Sequence, residues 1–342
     1  MSAAPQVNWQ RPPQAEGDLL AAEDVPGNDR EHADSVFSEA QSCTTSIASS
    51  IIEYRQLYGR TYHSDKFTTN YFIPNDDQQL ESEELCHHYL TILFDDQLFL
   101  APLETNKIDR VLDVGTGSGI WAIEFADRFP NASVIGTDIS PCQPQWVPPN
   151  VRFELDDAAL EWTWDANHFD FIHIRFIFGG IQDWTGLFKE AYRCCTPGGW
   201  MQSVECDVQF RSDDGSTELE PVLASYGDLF RESGKILNRP FFVQEIQQQA
   251  IDDAGFIDTE VVRHKIPIGP WAKDRKLAEV GRYVGAALEN DLEGYTQMLW
   301  HIVLQRSASE YSVWVANIRK AVRNTKVHSY MIIQVVYGRK PV

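Results

Sequence analysis

The decapeptide Arg110–Gly119, RVLDVGTGSG, runs directly into IWAIEFADRF at residues 120–129. A short apolar run that closes on an acidic side chain reads as a buried strand, and three alternating glycines leave a bare turn before an amphipathic helical pattern begins. Gly115, Gly117 and Gly119 follow G-x-G-x-G. The dinucleotide fingerprint requires G-x-G-x-x-G, and the phosphate-cradling P-loop requires a closing Gly-Lys-Ser/Thr. Neither spacing is met, so this strand-loop-helix is built to hold a nucleotide-like ligand through something other than its pyrophosphate.

Working outward from the loop, strand and helix patterns alternate, which predicts a parallel sheet with helices on both faces. Strands are expected at 110–114, 133–137, 151–154, 169–174 and 199–205, with helices at 119–129, 183–194 and 241–254. Residues 258–267 and 328–337 alternate as two more strands. The roughly 60 residues between them carry helical patterns at 274–289, 295–304 and 309–323 and read as a helical insertion over the ligand edge of the sheet, too long for a hairpin loop. Upstream, a helix over Ile47–Tyr58 ending before Gly59 and another over Leu80–Leu98 predict an N-terminal helical cap spanning 46–105, and the insertion spans 271–325. Residues 1–45 are rich in Ala, Pro, Gln, Asp and Glu without apolar periodicity and are expected to form a disordered acidic arm, leaving 46–342 as the single folded domain.

Composition narrows the function class. Of 342 residues 43% are hydrophobic and 10 are Trp, enough for a large core, while a formal net charge of -21 repels a phosphate backbone and argues against a nucleic-acid partner. The 6 Cys form no CxxC pair and no metal-ligand spacing, so no metal is expected and the thiols read as reduced. No apolar run reaches membrane-spanning length and no signal pattern opens the chain, so a cytoplasmic protein without a membrane partner is expected.

In an open parallel sheet the ligand lies beyond the carboxyl ends of the strands, where strand order reverses. This gathers Asp113–Gly119, Asp138–Ile139, Asp156–Ala158 and His173–Phe178 into one neighbourhood. Asp138 closes the strand IGTD, where a carboxylate offers two acceptors to two ribose hydroxyls. Asp157 is placed to accept from an adenine amino group, with the amide of Ala158 on a ring nitrogen. Asp113, before a glycine loop that lacks a phosphate-binding Lys, suits an ammonium-bearing end. Together these describe an adenosine with an amino-acid tail, S-adenosylmethionine.

VLDVGTGSGIWAIEFADRFP, VIGTDISPCQPQWVPPNVRFELDD, FDFIHIR and EAYRCCTPGGWMQSVECD resemble the class I S-adenosylmethionine-dependent methyltransferases. YGRTYH, PNDD, IGPWAKDRKLAEVGRY and HSYMIIQVVYGRKP are similar to the fungal LaeA-like branch, so the resemblance covers roughly residues 50–340. It implies a Rossmann-like, seven-stranded, mostly parallel sheet whose last strand is antiparallel. It also implies a glycine loop of Asp113, Gly115, Gly117 and Gly119 around the methionine part, with Asp138 on the ribose and Asp157 on the adenine. The branch holds both tailoring enzymes of secondary-metabolite clusters and nuclear regulators that work through protein partners. Its nuclear regulator carries a Cys between the first two glycines, where this chain has Thr116, and WVPPN and PNDD resemble the tailoring members. The resemblance therefore implies a small-molecule acceptor, with a LaeA-like nuclear regulator as the alternative. A nicotinamide oxidoreductase is disfavoured by the missing G-x-G-x-x-G.

Methyl transfer from a sulfonium needs positioning and desolvation more than acid-base help, since its leaving group is already activated. A general base matters only for a weakly acidic hydroxyl acceptor. His173, Arg175 and Glu205 are the candidate catalytic side chains at the strand ends, and Tyr58, Tyr62 and His63 are further candidates from the segment before them. Each has a plainer reading: His173 as a satisfied core histidine, Arg175 and Glu205 as members of buried pairs, and the tyrosines as packing for the first helix. His87 and His88 read as ordinary helix residues.

Overall fold

The computed structural model describes residues 54–64 and 71–342. The arm expected over 1–45, and residues 46–53 of the expected first helix, lie outside them. Where that helix was expected to end, the chain instead forms a hairpin, β1 (Arg55–Leu57) and β2 (Arg60–Tyr62), paired from Arg55↔Tyr62 to Leu57↔Arg60. The two loop residues explain the difference. Tyr58 and Gly59 both have positive φ, +52° and +78°, the conformation that matches a two-residue turn to the twist of its strands.

The first helix, α1 (Asp77–Leu93), starts three residues earlier than its apolar pattern suggests because Asp76 caps it, its side chain accepting from Gln79 N. From there the chain alternates: β3 (Arg110–Val114), α2 (Ile120–Arg128), β4 (Ser133–Asp138), β5 (Val151–Leu155), β6 (Phe169–Arg175), α3 (Trp184–Cys194) and β7 (Cys195–Cys206). Next come α4 (Val222–Leu237), α5 (Gln247–Ala254) and β8 (Ile257–Pro267), then α6 (Arg275–Asn290), α7 (Leu292–Met298), α8 (Ala308–Val322) and β9 (Tyr330–Arg339).

The seven strands β3 to β9 form one sheet in the order β5-β4-β3-β6-β7-β9-β8. β3 pairs in parallel with both β4 and β6, β4 with β5, and β6 with β7, whereas β9 runs antiparallel between β7 and β8. This is the expected Rossmann-like, mostly parallel seven-stranded sheet, with its last strand reversed. Its centre is dry: Val111, Leu112, Ile172, Ile174, Val335 and Val336 are all within 1% of full burial, as a sheet flanked by helices requires.

Two differences from the expected elements have physical causes. The helical stretch expected at 241–254 is broken, a 3₁₀ turn over Val243–Glu245 preceding α5. Helix α4 has no counterpart in the sequence reading. Gly227 and Gly234 weaken its propensity, and what holds it is burial of Leu223, Tyr226, Leu229 and Phe230. The insertion takes the expected helical form, with a π-helical turn over Leu299–Val303 after α7. Its helix α6 packs along α1, so the insertion and the first helix close over the sheet together.

Candidate active site

Strand order reverses between β3 and β6, since the chain moves from β3 outward through β4 and β5 before returning to the other side of β3. Val114 and Ile174 pair at that point, which sets Gly115–Gly119 beside Arg175–Phe178. The backbone of Gly117 has φ +56°, a left-handed conformation that strains any residue with a Cβ, and the Glu83 carboxylate lies where that Cβ would be. Gly119 also has positive φ, but its missing Cβ makes room for the Phe153 ring, so it serves the packing of α2 on β5.

Two carboxylates face this loop. Asp138 Oδ2 accepts from Gly117 N at 2.9 Å and Oδ1 from Ser140 N at 2.9 Å. Burial pushes its carboxyl up to about 6 against the pull of those amides. Glu83, carried in from α1, accepts from Ser118 N at 3.0 Å and is pushed up to about 7 by burial and then by the Asp138 charge.

A cavity of about 160 Å³ adjoins the loop. Gly115–Ser118, Arg175–Phe178, Tyr71, Glu83, Cys86, Tyr89, Cys206, Tyr226, Phe230 and Tyr295 are among the residues that line it. Among the described lining residues the only charged ones are Glu83 and Arg175. Burial holds Cys86, Cys206, Tyr89 and Tyr295 above their ordinary values, so these four lining side chains are neutral near pH 7.

The three candidate catalytic side chains take different positions. His173 is 1% exposed, stacks on Trp121 with ring centroids 3.9 Å apart, and donates through Nδ1 to Asp113 Oδ1 at 2.8 Å. It does not line the cavity. Arg175 does line it, with Nη1 donating to His87 Nδ1 at 3.2 Å. Burial, and then the Arg175 charge, push His87 down to about 3, so this imidazole, read from sequence as an ordinary helix residue, is the neutral acceptor for Arg175. Glu205 is wholly buried behind the cavity wall, its carboxylate taking the amides of Ile177, at 3.2 Å, and Phe178. These bonds fix the strand end that carries Arg175.

The expected cofactor residues also divide. Gly115 and Gly117 line the cavity, and Asp138 holds the loop from outside it. Both oxygens of Asp113 are engaged inside the protein, Oδ1 by His173 and Oδ2 by Thr116 Oγ1 at 2.6 Å. Ile139, Asp157 and Ala158 lie outside the cavity lining, at the carboxyl ends of β4 and β5; Asp157 Oδ1 accepts from Ala159 N at 3.0 Å within its own turn. Tyr58, Tyr62 and His63 do not line it either: Tyr58 stacks on His301, Tyr62 is fully buried, and His63 Nε2 accepts from Tyr71 N at 3.2 Å. Tyr71 lines the cavity in their place. Glu83 and Tyr71 carried no signal that sequence reading could use, since Glu83 stands in a run of acidic residues of which it alone turns toward the loop.

A family model described as a methyltransferase domain matches residues 85–260, just over half of the chain. The chain belongs to the methyltransferase family. Methyltransferase pytC of Aspergillus terreus is 32% identical over 324 residues, covering 94% of this chain and 99% of that protein. Secondary metabolism regulator LAE1 of Cochliobolus heterostrophus is 30% identical over 291 residues, covering 83% and 94%. Protein-methionine methyltransferase laeA of Emericella nidulans is 29% identical, covering 84% and 77%. The chain is an S-adenosylmethionine-dependent methyltransferase.

The residues present fit that methyl donor. Gly115 and Gly117 bring bare backbone to the cavity lining, Asp138 ends β4 beside the loop with two acceptor oxygens, and the adjoining cavity is lined mostly by apolar side chains. When bound, the donor supplies an activated methyl group. The chain supplies orientation and dryness.

Glu205 gives this methyltransferase a measurable pH signature. Burial raises its carboxyl from an ordinary 4.5 to about 8, so the folded chain keeps a proton that the unfolded chain has released. Its contribution to stability is therefore full below about pH 4.5 and falls as pH rises toward 8. Glu205→Gln keeps an acceptor for the amides of Ile177 and Phe178 without the titrating charge. Chemical denaturation of both proteins at pH 5 and pH 8 is expected to move in favour of the Gln variant at the higher pH. A difference that does not change with pH contradicts a raised Glu205.

Proposed function

We propose that this methyltransferase tailors a neutral, largely apolar small molecule of fungal secondary metabolism, in the cytoplasm. The observation that carries this reading is the cavity: about 160 Å³, lined in part by the glycine loop and by helices of the first segment and the insertion, with Glu83 and Arg175 the only charged side chains among its described lining residues. Such a space suits a compact acceptor, whose apolar surface is removed from water on entry. The likeness to methyltransferase pytC over nearly the whole of both chains supports the same reading.

In this reading the donor lies along Gly115–Ser118 with its ribose toward Asp138 and its adenine toward Asp157 and Ala158, and its methyl faces the cavity. Arg175 orients ligand from the cavity wall. Glu205 and His173 are positioning residues, the first through the amides of Ile177 and Phe178 and the second through Asp113. Catalysis rests on alignment and desolvation.

A regulatory protein acting in the nucleus through partners is the second reading, favoured by the relatives named as regulators. Deleting the gene and profiling metabolites separates the two. Loss of one methylated compound, restored by the purified protein and donor, is the expected result. Collapse of many unrelated pathways with no methylated product in vitro supports regulation instead.

A further inference from the structure

The acidic residue that sequence analysis placed on the donor's ammonium, Asp113, has both oxygens bound, one to His173 and one to Thr116. Asp113 is also 3% exposed and lies outside the cavity lining, so a group on the cavity wall is better placed to meet the charged end of the donor. Two side chains of the cavity wall are placed for it and are the only charged ones among its described lining residues, Glu83 and Arg175.

They come from opposite walls. Glu83 reaches from α1 across the glycine loop, where its Oε2 accepts from Ser118 N and its carboxylate fills the space beside Gly117. Arg175 ends β6 on the other side of that loop, held by Nη1 to the neutral ring of His87. Each charge is close enough to act on the other, yet they form no ion pair within 4.0 Å among the described residues, and neither has another ion-pair partner there. Burial disfavours both charged forms, which raises Glu83 and lowers Arg175. An acid and a base held apart on the wall of a mostly apolar cavity are complementary to a ligand end that carries both signs.

We propose that Glu83 and Arg175 read the zwitterionic amino-acid end of the methyl donor, Glu83 taking the ammonium and Arg175 the carboxylate. The assignment rests on the donor lying along the glycine loop. Because Glu83 belongs to α1, it also makes recognition of that end depend on the first helix being closed over the sheet. A merely structural pair would hold the loop and the strand end alike whatever the ligand carried.

The discriminating ligands are S-adenosylhomocysteine, which has the amino-acid end, and 5′-methylthioadenosine, which lacks it. Calorimetric titration of both into the wild type, Glu83→Gln and Arg175→Lys is the test, with thermal melts to show that each variant is folded. Glu83→Gln keeps an acceptor for Ser118 N, and Arg175→Lys keeps a cation without the fork; Arg175→Met extends the series where it folds. Glu83→Gln and Arg175→Met are expected to weaken S-adenosylhomocysteine at least about tenfold while changing 5′-methylthioadenosine less than about twofold, with Arg175→Lys between. Equal weakening of both ligands, or no weakening of either, overturns the assignment. If the wild type binds neither ligand, the placement of the donor at the loop fails, and the pair with it.

Discussion

Replacing Arg60 by Met is expected to destabilise the protein by about 3–5 kcal/mol, on the order of 5–10 °C in melting temperature. The guanidinium forks onto two carboxylates at once. Nε and Nη2 donate to Asp76 at 2.6 Å each, while Nη1 and Nη2 donate to Asp291 at 2.5 and 2.8 Å. The Arg60 side chain is 10% exposed and that of Asp291 is 0%. Asp76 caps α1 and Asp291 caps α7, accepting from Gly294 N at 2.9 Å, so one cation joins the hairpin to the starts of two helices that line the cavity. Without it two partly or wholly buried acids remain side by side with no counter-charge. Asp291→Asn in the Arg60→Met background should recover part of the loss, because it removes one of those stranded charges. Urea denaturation checks both values, and a loss under 1 kcal/mol in the single variant would show the three-way contact to be energetically idle.

Gly117→Ala is expected to weaken S-adenosylhomocysteine binding by about 10- to 100-fold. A side chain at φ +56° costs roughly 1–2 kcal/mol of backbone strain, and the new Cβ would occupy the position of the Glu83 carboxylate. Either the Glu83 side chain turns away and gives up Ser118 N, or the loop shifts and takes the Asp138 bond to Gly117 N with it. Both outcomes disturb the loop along which the donor is proposed to lie. Gly59→Ala is the control, since Gly59 has φ +78° with no atom within 4 Å of the added Cβ: it carries the strain without the collision. Calorimetry should therefore find Gly59→Ala close to wild type in affinity, though less stable. Equal affinities for Gly117→Ala and the wild type would mean that the loop backbone does not meet the ligand.

Much of the frame was legible in order along the chain. Short apolar runs and, at 258–267 and 328–337, period-two alternation located all seven strands of the main sheet because each is a local pattern, and RVLDVGTGSG located the glycine loop because its left-handed backbone favours glycine. Elements whose stability comes from distant partners were not legible. Helix α4 contains two glycines and is held by burial of Tyr226 and Phe230, and the hairpin at Arg55–Tyr62 was hidden by an apolar spacing that also suits a helix.

The site divides in the same way. The motifs YGRTYH and PNDD were visible as branch-like stretches, but their meeting was not: Arg60 and Asp76 are 16 residues apart, and their third partner, Asp291, lies 231 residues from Arg60. Sequence alone determined the sheet, the glycine loop and the class of ligand, because backbone conformation and apolar periodicity are set by near neighbours. Only the tertiary structure decided which acids are spent and which face the cavity. Asp113 is closed off by His173 and Thr116, whereas Glu83, an unremarked residue of an acidic helix, is turned onto the loop. The physical reason is that a carboxylate's role depends on which donors reach it, and here those donors arrive from strands and helices far away in the chain.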